Sequence, residues 1–384
     1  MQADASPGNA HLRHDRQPLI LSGLAHDVHA AAVCWALRRS GYRPVWARTL
    51  ADDAMTPVSL HADDRDGLRF SGGIDPARTS SVWYRRPRLP DAFDRVAPAD
   101  LDFVRDEWKR HVENVHATCA AAGDVLWVNR PDRARAAENK LLQLQAAHRC
   151  GLRFPATLIS SDPDEVRRFF AAHERIVYKP FATHSWRDGD GRIYSTYTRA
   201  LDADALKDDA ALRLCPGIYQ ACVRKRYDLR VTVVGHRIFA VRIDTPTADD
   251  GVVDWRAASI GGEATSYPVA LPHAWEVAVR RLMGTLGLVF GCIDLVADEH
   301  DELHFIEINQ AGQFLFVEHD VPGVPLLRAV AAMLAEGRPE YALDTIADVT
   351  YAGFLEDPEQ KAWWAEVAPR IRGADGRIPG VSEE

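Results

Sequence analysis

Apolar positions in this chain switch repeatedly between the two-residue period of a strand and the three-to-four-residue period of a helix. Pro18-Leu-Ile-Leu-Ser-Gly reads as a strand running into a small-residue turn. Val28 to Ser40 then has helical spacing, before Gly41 and a second strand, Pro44-Val-Trp-Ala. This β-α-β opening is followed by a strand at Ser81-Val-Trp-Tyr-Arg-Arg-Pro and a long helix from Phe103 to Ala121, with Trp108, Val112 and Val115 on one side. In the first turn, His26, Asp27 and His29 admit two readings, a metal cluster or a helix cap at Asp27, and the cap is the expected one. Arg85 and Arg86 at a strand end fit either an acidic ligand or salt bridges with neighbouring acids.

After Asn129-Arg-Pro the pattern predicts a helix from Ala136 to Arg149, closed by Gly151, then a strand at Phe154-Pro-Ala-Thr-Leu-Ile. A helix at Pro163 to Ala172 and a strand at Arg175-Ile-Val-Tyr-Lys179 come next. Two long strands meet at Gly235-His236, with the extended segment Tyr219-Gln-Ala-Cys-Val leading into them. Asp228 and Arg230 share a face there, and Arg242 sits on the partner strand. Helices are expected at His273 to Leu286, Pro325 to Glu336 and Pro358 to Val367, the last carrying Trp363 and Trp364, for which docking on the chain's own body is expected.

Candidate chemistry concentrates in Gly291-Cys-Ile-Asp294-Leu-Val and Leu303-His-Phe-Ile-Glu307-Ile-Asn309-Gln, two alternating strands joined by Asp298-Glu-His-Asp301. Strand alternation sends Asp294, Glu307 and Asn309 to one side of a hairpin, with Ile306 and Ile308 entering the core. Three hard oxygen donors on a rigid sheet suit Mg²⁺ completed by phosphate oxygens, whereas the plainer reading is the wet face of an antiparallel hairpin.

Composition sharpens this picture. Of the 46 Lys and Arg residues only six are lysine, so a lysine ending an apolar strand, such as Lys179, calls for an anionic partner. Lys140, at a helix start, supplies a second contact to one polyphosphate. The loop after Lys179, Phe181 to Arg192, fits either a phosphate flap or a hairpin tip. Over Asp228, a pair of guanidiniums fits ribose and phosphate recognition, and cross-strand salt bridges fit equally. At 384 residues and 47% hydrophobic the chain is long enough for two or three domains, and its net charge of −9 argues against a general nucleic-acid binder. No apolar run nears the ~18 residues of a membrane span, and a cytoplasmic protein is expected. The six cysteines form no Cys-x-x-Cys pair, so neither a disulfide framework nor a zinc site is indicated.

The elements and motifs resemble the ATP-grasp superfamily over roughly residues 130–335. Within it they resemble the maturases of graspetides, the microviridin-type ribosomal peptides. The residues that carry the likeness are Val82-Trp-Tyr-Arg-Arg-Pro, Glu138-Asn-Lys, Tyr178-Lys-Pro, Lys225-x-x-Asp-Leu-Arg-Val-Thr-Val-Val-Gly, Asp254-Trp-Arg256 and Glu307-Ile-Asn-Gln. The resemblance implies an α/β (α+β) ATP-grasp fold with an N-terminal Rossmann-like pre-ATP-grasp domain and the nucleotide between two α+β subdomains. The implied organisation is a disordered lead-in (1–17), the pre-ATP-grasp domain (18–130), central (131–218) and C-terminal (219–340) subdomains, and a tail (341–384).

The cofactors it implies are ATP and two Mg²⁺ ions. Lys140 and Lys179 would touch phosphates, Gln220 and the Ala221, Cys222 and Val223 hinge would meet adenine, and Asp228 would hold ribose. Ala221 stands where many members have Glu. Asp294, Glu307 and Asn309 match the family's metal ligands, and Arg230, Arg242 and Arg256 are the expected catalytic cations. The implied product is an ω-ester or ω-amide link in a precursor peptide. Its leader would be held near Ile193 to Leu212, and a homodimer is also implied. An ATP-grasp ligase of free amino acids and a non-catalytic ATP-binding module are the rival expectations.

Overall fold

The computed structural model describes residues 16–371 except 25, 51–58, 65–66, 72–77, 90–92, 94, 122, 174, 182–184, 188–192, 196–197 and 246–263. Its first unit opens with β1 (Gln17–Leu21), α1 (Val28–Arg39) and β2 (Val45–Ala47). A hairpin of β3 (Ser59–Asp63) and β4 (Gly67–Ser71) follows, then β5 (Thr79–Tyr84), α2 (Leu101–Ala121) and β6 (Leu126–Val128). Strands β2-β1-β5-β6 form a parallel sheet. Leu19 to Leu21 are buried in succession because helices cover both faces of such a sheet. Asp27 caps α1 by accepting from the His29 and Ala30 N–H groups at 3.1 and 3.3 Å, as expected of the turn.

His116 of α2 is buried beneath this sheet, 3.2 Å from the Thr49 hydroxyl and edge-on to Tyr84. Burial pulls its pKa from 6.5 down to about 4. The unfolded chain therefore takes up this proton at a higher pH than the folded one. Stability tied to His116 is complete above pH 6.5 and is lost as pH falls towards 4, by up to about 3 kcal/mol. The denaturation midpoint of a His116→Gln variant should fall less steeply across that window than that of the wild type.

The second unit begins with α3 (Pro131–Glu138) and α4 (Lys140–Arg149). The single helix expected from Ala136 is broken at Asn139, whose extended backbone and side-chain oxygen cap α4 through the Leu141 and Leu142 N–H groups at 3.0 and 3.2 Å. An asparagine that can satisfy two orphan N–H groups favours a restart over continuation. Next come β7 (Thr157–Ser160), α5 (Pro163–Ala172), β8 (Ile176–Lys179), β9 (Ser185–Arg187), β10 (Ile193–Ser195), β11 (Arg199–Ala200), α6 (Asp209–Leu214) and β12 (Gly217–Ala221). Strand order β11-β8-β12-β7 makes an antiparallel sheet over a small core of Val166, Ile176, Leu206, Leu212 and Tyr219. Residue 218 lies inside β12, so the chain changes sheet only after Ala221.

The third unit is built on β13 (Lys225–Val234), β14 (Arg237–Asp244), β15 (Thr265–Val269), α7 (His273–Leu286), β16 (Phe290–Asp298) and β17 (Leu303–Asn309). It is followed by α8 (Leu315–Asp320), α9 (Leu326–Glu336), α10 (Tyr351–Glu356) and α11 (Pro358–Ile371). The sheet runs β15-β14-β13-β16-β17, antiparallel throughout. Gly235 makes the β13–β14 turn at φ +55, and a Cβ there would come within 2.1 Å of the Pro339 carbonyl oxygen. One face packs Leu229, Val231, Ile293, Leu295 and Phe305 against Val279 and Leu282 of α7, each fully buried side chain stabilising the fold by ~1.5–3 kcal/mol. The opposite face carries the charged side chains, and further along joins α1, Trp83 and α9 in one continuous core.

Tyr341, Ile346 and Phe354 are buried in that same core, and Trp363 of α11 packs against it, 6.4 Å from Trp46, which places this part of the chain on its own body. Among the described residues no helix is long and apolar enough to cross a membrane.

Candidate active site

Three strands in register place Arg230 opposite Asp294, and Asp294 opposite Glu307; the adjacent row holds Thr232, Cys292 and Asn309. The hairpin expectation therefore brings Asp294, Glu307 and Asn309 onto one face. It errs at Ile306. A bulge in the β16–β17 pairing leaves Ile306 half-buried, while Leu303, Phe305 and Ile308 enter the core. The extra residue reverses the alternation, which a strict two-residue period does not foresee.

Every charge in this row is matched. Arg230, 4% exposed, donates to Asp294 at 2.7 Å and to the Gln313 carbonyl at 2.7 Å. Burial opposes the guanidinium cation, but Asp294 outweighs it and raises the Arg230 pKa above the ordinary arginine value. Lys140 donates to Glu307 Oε2 at 2.5 Å, and Asn309 Nδ2 to Glu307 Oε1 at 3.0 Å.

Helix α4 is locked to β17 by Gln143, buried at 1%. Its amide donates to the Ile308 carbonyl at 2.9 Å and accepts from the Ile308 N–H at 3.0 Å. Two bonds to the backbone of one residue fix both distance and rotation, so Lys140 at the head of α4 is aimed at the residue before Ile308. Gln310 meets Glu138 at 3.2 Å, which joins the Glu138-Asn-Lys and Glu307-Ile-Asn-Gln segments at a second point.

Beyond Asn309 the chain is clamped through four consecutive carbonyls. Asn129 donates to that of Gln310 at 3.0 Å, Arg85 to those of Ala311 and Gly312 at 3.2 and 3.3 Å, Arg86 to Ala311 at 3.3 Å, and Arg230 to Gln313. Gly312 is required by close approach, since a Cβ there would lie 2.6 Å from Cys292 Cβ. Arg85 is itself held by Asp27 at 2.9 Å, and Asp27 accepts the Ser22 hydroxyl at 2.6 Å. Burial would raise the Asp27 pKa, but Arg85, His29 and Ser22 overcome it and bring it down to about 2. The salt-bridge reading of Arg85 is thus realised, with a fold-bridging consequence that the sequence pattern did not signal.

The expected nucleotide contacts sit on the neighbouring sheet. Lys179 donates to Gln220 Oε1 at 2.6 Å, and Gln220, 4% exposed, donates onward to the Thr157 hydroxyl at 2.9 Å. At the end of β12, the Ala221 and Cys222 N–H groups donate to the Ala156 and Arg175 carbonyls, which suspends this hinge between two strands, and Val223 follows directly. Asp228 is buried and accepts from Lys225 at 2.8 Å, on the same face as Arg230.

Arg242 does not join them. It is paired with Leu229 across the strands, on the opposite face from Arg230, where it lies 3.7 Å from the Tyr227 ring centre and binds Asp244 at 2.8 Å. Cross-strand position decides the face: Arg230 stands opposite Val241 and Arg242 opposite Leu229, so the two guanidiniums occupy consecutive rows that point to opposite faces. Arg256 and Asp254 lie outside the described residues, as do most of the positions in the loop expected to fold over phosphates.

Two carboxylates and an amide on adjacent rows supply hard oxygen donors for Mg²⁺, and the third donor is an amide, so among the described residues no group of three or more His, Cys, Asp or Glu gathers. Such a set holds the ion weakly alone and well when phosphate oxygens complete the shell. The residues therefore fit a metal–nucleotide complex. Sequence reasoning did not place Asp27, Arg85, Asn129 or Gln143 in this site; its signals were the polar turn at Asp27, read as a helix cap, and the paired arginine after Tyr84.

An antiparallel sheet carrying oxygen ligands, a second sheet carrying a lysine and a hinge, and a parallel domain ahead of them define an ATP-grasp ligase fold. No family model matches the chain. Among curated proteins, the chain is 26% identical over 243 residues to a glutathione synthetase of Rhodopseudomonas palustris, covering 62% of this chain and 70% of that protein. Among solved structures it superposes on a ribosomal-peptide-associated ATP-grasp ligase of Chryseobacterium gregarium in complex with ADP and a leader and core peptide. There the TM-score is 0.73 and the identity 23%, over 87% of this chain and 99% of that one.

The macrocyclase MdnC of Microcystis aeruginosa, bound with precursor peptide MdnA, matches with a TM-score of 0.69 and 26% identity, over 83% and 99% of the two chains. The chain thus has the ATP-grasp ligase architecture with an N-terminal domain, and spans nearly the full length of these two structures.

Proposed function

We propose that this protein is an ATP-dependent ligase that activates Asp or Glu side chains of a ribosomal precursor peptide and joins them to hydroxyl or amine side chains of the same peptide. The observation that carries the reading is the single row Arg230, Asp294 and Glu307, with Lys140 and Asn309 completing it, in a chain of which 83% matches 99% of a peptide macrocyclase.

A carboxylate is a poor electrophile. In the proposed reaction its oxygen attacks the γ-phosphorus of ATP, the bond to the ADP oxygen breaks, and an acyl phosphate forms. A hydroxyl or amine then attacks the acyl carbon, loses its proton, and expels phosphate. Mg²⁺ held by Asp294, Glu307 and Asn309 would supply charge neutralisation on the phosphates. Lys140 and Lys179 would bind the phosphates from the two sheets, Val223 and the neighbouring carbonyls would face adenine, and Asp228 would accept from ribose in place of Lys225. Arg230 holds Asp294 and the Gln313 carbonyl in place. Its buried charge favours anionic groups brought next to it.

Incubation of the full-length protein with its precursor peptide, ATP and Mg²⁺ should yield peptide lighter by one water per link formed, with ADP and phosphate in equal amounts. The likeness to a glutathione synthetase favours a second reading, ligation of small amino acids. Unchanged peptide mass together with ADP release on addition of free amino acids would select it.

A further inference from the structure

The paired arginines after β5 have separate fates. Arg85 is 2% exposed and committed to Asp27 and to two carbonyls. Arg86 is exposed, has φ +49 in the left-handed region, and gives one Nη2 hydrogen bond to the Ala311 carbonyl at 3.3 Å. A non-glycine residue held in that region costs energy and recurs at ligand-binding positions.

Its place in the sheet is also informative. In the order β2-β1-β5-β6 the chain leaves β1 towards β2 on one side, while β5 lies on the other. The crevice beyond the carboxyl ends of β1 and β5 is therefore the topological switch point, where open α/β sheets receive ligands. The Gly23 N–H donates to the Arg86 carbonyl at 3.2 Å across that point, and Arg88 packs directly over Gly23.

Charge points the same way. Arg85, Arg86 and Arg230 all act on buried His29, whose pKa is held well below the ordinary value by burial first and then by Arg85; this histidine is neutral. Asp27 and Asp294 offset two of the guanidiniums. The third, Arg86, has no carboxylate within ion-pair distance among the described residues; Asp27 and Glu138 act on it only from farther away, which leaves its guanidinium able to take an anionic partner beside the clamped segment that follows Asn309.

We propose that Arg86 recognises the substrate's carboxylate, receiving the acidic side chain to be activated on its free guanidinium edge, with Arg85 holding the strand end that aims it. This rests on the peptide-ligase reading. It goes beyond it by naming the group that selects a carboxylate. Two parallel N–H donors match two carboxylate oxygens, a geometry that lysine does not reproduce.

The test uses the full-length protein, with glutarate as the probe, titrated calorimetrically in the presence of ADP and Mg²⁺. Arg86→Gln should weaken glutarate binding about 10- to 100-fold, as expected when a charged hydrogen-bonding group is lost. Arg86→Lys should fall between the two, and ADP affinity should stay within about twofold. The same variants should raise the KM for the precursor peptide and leave that for ATP alone. Equal glutarate binding by wild type and Arg86→Gln, no saturable binding by the wild type, or a loss confined to ADP would each overturn the assignment.

The outcomes separate the two proposals. Selective glutarate loss without water loss from any peptide would sink the peptide-ligase reading and keep Arg86. Water loss with an unchanged peptide KM in Arg86→Gln would do the reverse.

Discussion

Replacing Glu307 by Gln is expected to lower kcat by about 10²- to 10³-fold and to raise the Mg²⁺ concentration needed for half-maximal rate, with little change in thermal stability. Glu307 lies directly opposite Asp294, receives Lys140 at 2.5 Å and is bonded to Asn309 at 3.0 Å. Glutamine keeps the shape and the Asn309 contact but removes the anion on which a cation and its phosphates would be assembled. The fold should tolerate it because the glutamine oxygen still accepts from Lys140 and the Asn309 amide can turn to meet the new NH2 group, so no polar atom is stranded. Both Glu307 and Lys140 also keep about a fifth of their side-chain surface in water. Steady-state rates across a Mg²⁺ titration, with melting curves of both proteins, make the check. A variant with wild-type turnover at wild-type Mg²⁺ demand would remove Glu307 from the site.

The second large effect is expected at Asp27, and it acts on stability first. Asp27 and Arg85 are almost wholly buried and 2.9 Å apart. Breaking such a pair by removing one partner typically costs about 3–5 kcal/mol, since the other charge stays buried. Asp27→Asn keeps an oxygen for the α1 cap but loosens the hold of Arg85 on the Ala311 and Gly312 carbonyls, so kcat should fall with stability. The paired change Asp27→Asn with Arg85→Met should cost less than the sum of the single changes. Urea midpoints of the four proteins read this directly, and additivity would show that the ion pair is not a unit.

The pH dependence has a definite sign. The Asp27 pKa is lowered from 3.8 to about 2. Its contribution of about 2 kcal/mol is therefore present above the unfolded value and is lost only as pH falls through about 2.

The elements that were legible in the sequence are those whose signal is local. Helix α1 with its Asp27 cap, the β13–β14 hairpin at Gly235, and α5 from Pro163 to Ala172 follow from apolar period, turn residues and capping chemistry within a few positions. The convergence of Asp294, Glu307 and Asn309 was also legible, because strand alternation and a short polar turn leave few alternatives. Where a local rule competes with a partner elsewhere, the sequence misleads. The bulge at Ile306 is one instance, and the break at Asn139 between two helices is another. The face of Arg242 depends on which residue of β13 stands opposite, and that register cannot be counted from one strand.

The sequence by itself determined the order of elements, the oxygen-rich hairpin and the lysines at strand and helix ends, because backbone periodicity and hydrogen-bonding chemistry act over a few residues. Tertiary structure alone decided that Gln143 would aim Lys140 at Glu307, and that Asn129, Arg85 and Arg86 would reach across more than a hundred residues to hold the carbonyls after Asn309. Buried polar groups must find partners wherever packing places them, and packing is a property of the whole chain.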